Sequence, residues 1–151
     1  MKKRILIIGY GNPLRRDDGV GWEVTNGLHD EISSSNITIM ARHQLTPELC
    51  ETISHFDQVI LIDAAAGTCP GEITCKEVNS GPVNTPTFSH QFTPEILLGT
   101  TQELFHACPR ILIYTIVGED FDYGEGLSDC VKNKIPALVE AIKSHLDAAG
   151  K

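Results

Sequence analysis

Hydrophobic positions along the chain fall into two kinds of run, and their alternation predicts the architecture. Ile5 to Ile8, Val59 to Ile62 and Arg110 to Val117 are short, nearly continuous apolar stretches, as expected of strands covered on both faces of a parallel sheet. Ile37 to Ala41 alternates as a further strand, and Gly71 to Val78 has a weaker pattern that places it near a sheet edge. Between these, Val20, Val24, Leu28 and Ile32 recur at helical spacing, predicting a helix over about 19–32. Thr46-Pro47-Glu48 and Thr93-Pro94-Glu95 both read as helix openings, with Thr as N-cap and Pro as first helical residue; Leu49, Cys50 and Ile53 would face the core, and the second helix would reach about His106. Leu127 to Leu146 carries an apolar face of a long C-terminal helix, which Pro136 should kink or break. Strands alternating with helices predict an α/β fold, a three-layer sandwich with a mostly parallel, twisted five-stranded sheet, in a single domain spanning 1–151.

In such sheets ligands gather outside the carboxyl ends of the strands. Asp18 follows the first strand, His43 the second, Asp63 ends the third, and His90 lies in the long segment Asn79 to Gln91 ahead of a helix, so four polar groups can meet on one rim. Asp18, Asp63 and His90 together are a ligand set for a divalent first-row metal with open positions, able to polarise a carbonyl or activate a water. Each residue also has a plainer reading. Asp17 and Asp18 stand where a helix begins and can simply accept its free N–H groups; Asp63 can bind backbone; a lone His is more often structural. His43 can support a carboxylate through one ring nitrogen. His29, His55, His106 and His145 lie away from the rim and read as solvated or capping.

Composition narrows the classes. A net charge of -8 with scattered Lys and Arg opposes a nucleic-acid surface. The first apolar run is too short for a signal peptide or a membrane span, which predicts a cytoplasmic protein. Five Cys (Cys50, Cys69, Cys75, Cys108, Cys130) without C-x-x-C spacing read as reduced, mostly buried thiols, and no Cys sits where a nucleophile would. Serine catalysis lacks its G-x-S-x-G signature. Gly9-Tyr10-Gly11 raises a dinucleotide site, but Leu14 replaces the third glycine and the Asp pair puts negative charge where a pyrophosphate would lie.

Gly9-Tyr-Gly11-Asn12-Pro13-Leu14-Arg15-Arg16-Asp17-Asp18-Gly19-Val20-Gly21, then Ile62-Asp63-Ala64, then Ser89-His90-Gln91 resemble the hydrogenase maturation endopeptidases, in order and over nearly the whole chain. Gly126-Leu127-Ser128 resembles a further family segment, with Asp129 where Pro often follows, and His43-Gln44-Leu45-Thr46-Pro47-Glu48 is similar to the version serving cytoplasmic, bidirectional-type [NiFe]-hydrogenases. The resemblance implies an endopeptidase that removes the C-terminal extension of a [NiFe]-hydrogenase large-subunit precursor after nickel insertion. It puts Asp18, Asp63 and His90 on nickel contacts, with the nickel supplied by the substrate, and Asp18 and Asp63 in catalysis. Asp17, as cap of its helix, His43, Asn12 and Gln91 are expected to support the site or touch the substrate. A monomer without nucleic-acid or membrane partners is expected, and a non-catalytic nickel-binding maturation factor using the same trio is the alternative.

Overall fold

Ile5–Tyr10 forms β1, and every one of its first five residues is buried because both sides of the strand are covered. The computed structural model describes residues 2–80 and 92–149. After β1 a short 3-10 turn, Arg16–Gly19, leads into α1, Val20–Glu31. There follow β2 (Ile37–Arg42), α2 (Leu49–Ile53), β3 (Gln58–Ala65), β4 (Ile73–Val78), α3 (Pro94–Phe105), β5 (Arg110–Val117), α4 (Asp129–Lys132) and α5 (Ile135–Ala149). The sheet order is β2-β1-β3-β5-β4; β1, β2, β3 and β5 run parallel, and β4 pairs antiparallel with β5 at one edge. A mostly parallel five-stranded sheet between two helical layers is thus what the apolar runs predict.

Strand side chains alternate between two cores. Ile5, Ile7, Ile60, Ile62 and Ile116 pack with Val24 and Leu28 of α1 and Leu138 and Ile142 of α5. Leu6, Ile8, Val59, Leu61 and Ile111 pack on the opposite face with Leu49 and Ile53 of α2 and Leu97 of α3. Asp63 shares the second face, two residues beyond Leu61, and so emerges beside the first turn of α3.

Three expectations are corrected. Thr93 caps α3, accepting from Ile96 N at 3.2 Å, but Thr46 does not cap α2: its carbonyl accepts from Leu49 N at 3.0 Å in a turn, and the helix starts two residues later than Pro47. The C-terminal segment, by contrast, breaks as expected into two pieces, α4 and α5, with Pro136 in the first turn of the second. Of the thiols only Cys50 is fully buried; Cys69, Cys75 and Cys108 are exposed, the first and last in connecting loops and Cys75 on the edge strand. His145 is not a solvated bystander, because its Nε2 sits 2.6 Å from the Gln58 amide nitrogen and burial pulls its pKa down.

Candidate active site

The turn between β1 and α1 is shaped by the side chains it lacks. A Cβ on Gly9 would stand 2.2 Å from the Gly21 carbonyl oxygen, so this strand and this helix touch backbone to backbone. Gly11 has φ +143°, and a Cβ there would lie 2.0 Å from the Asp18 carbonyl oxygen. Trp22 Nε1 donates to Gly11 O at 2.9 Å, tying the first turn of α1 to the same loop. Asn12 N donates to Asp18 Oδ2 at 2.8 Å, while Asn12 Oδ1 accepts from Leu14 N at 2.9 Å. Asn12 therefore shapes the turn that carries Asp18.

The two adjacent carboxylates separate here. Asp18 faces a cleft of about 280 Å³ at the carboxyl ends of β1, β2 and β3, lined also by Tyr10, His43, Gln44, Asp63 and Phe92. Asp17 points the other way and is fully buried. It accepts from Glu119 N (2.8 Å), Asp120 N (3.0 Å), Ser128 N (2.7 Å) and Ser128 Oγ (2.7 Å). Burial alone would raise its pKa, but these four donors together hold it below the ordinary carboxylate range. Asp17 is thus no cap of its own helix, where no side-chain cap is found. It fastens the turn to the loop between β5 and α4, a role not visible in the sequence because its partners lie more than 100 residues away.

Asp63 has the contrasting environment. Burial pushes its pKa up to about 7; Ala64 N, donating at 2.8 Å, lowers it, the charge of Asp18 raises it, and the Tyr10 hydroxyl lowers it slightly. Tyr10, itself pushed up by burial and by Asp63, was not singled out from the sequence. Its signal was its position: alternating with Ile8, it points to the same face as Asp63. His43 is exposed in the loop after β2, with its ring centroid 5.3 Å from that of Trp22, on the edge of the cleft. His90 and Gln91 lie outside the described residues; His90 precedes by two positions Phe92, which lines the cleft. Among the described residues no three His, Cys, Asp or Glu side chains form a ready metal cluster. Two carboxylates opening on one cleft, with an imidazole at its edge, nonetheless form an anionic pocket suited to a cation brought in from outside. A larger hollow of about 600 Å³ lies at the opposite end of the sheet, near Glu31, Ile37 and Lys143, away from these groups.

No family model matches the sequence. The chain is 28% identical over 143 residues to the hydrogenase expression/formation protein HupD of Rhizobium leguminosarum bv. viciae, an alignment covering 91% of this chain and 71% of HupD. Its fold is that of the hydrogenase maturating endopeptidase HybD of E. coli (TM-score 0.80, 21% identity, 97% of this chain and 94% of the other) and of the [NiFe] hydrogenase maturation protease HycI of Thermococcus kodakarensis KOD1 (TM-score 0.79, 22% identity, 97% and 94%). The class is thus the α/β fold of the hydrogenase maturation proteases. The resemblance read from the Gly9-to-Gly21 motif, to the hydrogenase maturation endopeptidases in particular, is borne out.

Proposed function

We propose that the protein is an endopeptidase that removes the C-terminal extension of a [NiFe]-hydrogenase large-subunit precursor once nickel has been inserted. The observation that carries this reading is the pairing of Asp18 and Asp63 on one cleft at the carboxyl ends of the central strands. Kinship with HupD, HybD and HycI supports the substrate class. The nickel is the substrate's own: Asp18, Asp63 and His90 complete the coordination of an ion already held by the precursor, so that only a loaded precursor is gripped.

Hydrolysis adds a water oxygen to the scissile carbonyl carbon, breaks the C–N bond and returns a proton to the departing nitrogen. Burial pushes Asp63 up to about 7 in the free enzyme; contact with the nickel holds it ionised, and the carboxylate can then take the proton from water and pass it on. Asp18, with Asn12 N holding one oxygen, is the fixed anionic contact. No helix among the described residues is long and apolar enough to cross a membrane, and a monomer acting in the cytoplasm fits the proposal. The His43-to-Glu48 segment supports a precursor of the bidirectional type.

The test is cleavage of purified nickel-loaded and nickel-free precursors by wild type and by Asp18→Asn, Asp63→Asn and His90→Ala. Cleavage of the loaded form alone, lost in the variants, is expected. Equal cleavage of both forms would remove nickel reading, and nickel-dependent binding without cleavage would favour the non-catalytic maturation factor.

A further inference from the structure

A cleft of about 280 Å³ has room for only a few residues of a peptide, too little to tell one folded protein from another. Whatever recognises the body of a protein substrate must lie on the surface around it. On the far side of the turn that carries Asp18, Leu14 is 56% exposed and Tyr123 82% exposed, two of the few large apolar side chains that the described surface presents. The Arg15 guanidinium lies over the Tyr123 ring, 5.5 Å from its centroid, and its Nε donates to Phe121 O at 3.2 Å.

These side chains stand on a stiff base. Gly124 N donates to Leu14 O at 2.8 Å and Arg16 N donates to Gly124 O at 3.1 Å, so the turn after β1 and the loop after β5 pair like strands. Gly124 has φ +150°, a Cβ there would meet the Arg16 guanidinium at 3.0 Å, and Arg16 itself has φ +47°. The four donors on Asp17 fasten the same two segments from below. Exposed side chains on a backbone pinned in this way, a tyrosine and an arginine among them, require little ordering of the main chain on binding and have the composition of interface anchors.

We propose that Leu14, Arg15 and Tyr123 form the ledge on which the folded body of the precursor rests while its C-terminal tail enters the cleft. The inference rests on the proteolytic reading of that cleft for the identity of the partner. The matching surface of the precursor is an apolar recess for Leu14 and the Tyr123 ring, with a carboxylate facing Arg15, the one chemistry that answers an exposed cation on an otherwise acidic protein. Leu14 and Arg15 share one turn with Asp18, so seating on the ledge also fixes where the tail meets that carboxylate.

The experiment measures binding of immobilised, nickel-loaded precursor, and its cleavage, for wild type, Tyr123→Ala, Tyr123→Phe and Leu14→Ala/Tyr123→Ala. Both positions are exposed, so truncation removes little packing, and far-UV circular dichroism of each variant checks that the fold is kept. Tyr123→Ala is expected to weaken binding about tenfold and the double variant about a hundredfold, with Tyr123→Phe within about twofold of wild type. Unchanged affinity in the double variant overturns the ledge and leaves the protease reading intact. Weakened affinity without any cleavage by wild type keeps the ledge and overturns the protease, and absence of wild-type binding overturns both.

Discussion

Asp17 and Asp63 are both withdrawn from water at the same end of the sheet, yet their acidities move in opposite directions. Behind the turn, four donors converge on Asp17 and keep it ionised; in the cleft, Asp63 has one backbone donor at 2.8 Å, a second carboxylate nearby, and a pKa of about 7. Burial is the leading influence on both, and it pushes both upward. The number of donors decides the outcome, and with it whether a carboxylate serves as a fixed structural anion or as a group that can exchange a proton near neutrality.

The largest effect expected from this contrast is on cleavage. Asp63→Asn should lower precursor cleavage by about 10²–10⁴-fold, measured by the mass shift of the precursor, while thermal unfolding stays level or improves. Loss of folding instead would make Asp63 a structural group and erase the contrast. Asp17→Ala should do the reverse. It leaves three backbone donors and a hydroxyl unanswered, and should cost roughly 3–5 kcal/mol in urea unfolding.

A pH series separates the two further. The pKa of Asp63 is raised from 3.8 to about 7 in the folded state, so its contribution to stability is fully present below about pH 4 and is lost as pH rises through 7. Wild type should therefore lose on the order of 2 kcal/mol relative to Asp63→Asn between pH 4 and pH 8, the partial exposure of the group being allowed for. The pKa of Asp17 is lowered, so its contribution is present above the ordinary carboxylate value and is lost as pH falls; the gap between wild type and Asp17→Asn should close in acid. Parallel pH curves for the two variants would contradict the comparison. The smallest effect is that of Ser128→Ala, which removes one of the four donors and should cost about 1–2 kcal/mol with no change in kcat.

How far the sequence spoke for itself depended on the range of the interaction. β5 is found over the very residues of its β-branched run, because a strand buried on both sides needs only its own composition. Two copies of Thr-Pro-Glu fared differently. At Thr93 the hydroxyl reaches Ile96 N and the helix starts as spelled, whereas at Thr46 the backbone carbonyl takes the equivalent donor and a turn forms first. Asp18, Asp63 and His43 were legible as rim groups because strand ends locate a rim. The work of Asp17 and of Ser128 was not, since each is defined by a partner 111 residues distant.

Where Gly9 meets Gly21, two main chains are in contact with no side chain between them. Side chains can shift among rotamers and let packed elements slide by fractions of an ångström; bare backbone has no such play. The joint behaves as a machined seat: α1, and with it the turn that carries Asp18, has one resting place against the sheet. The position of that carboxylate is therefore set before any substrate arrives, by atoms the sequence leaves out.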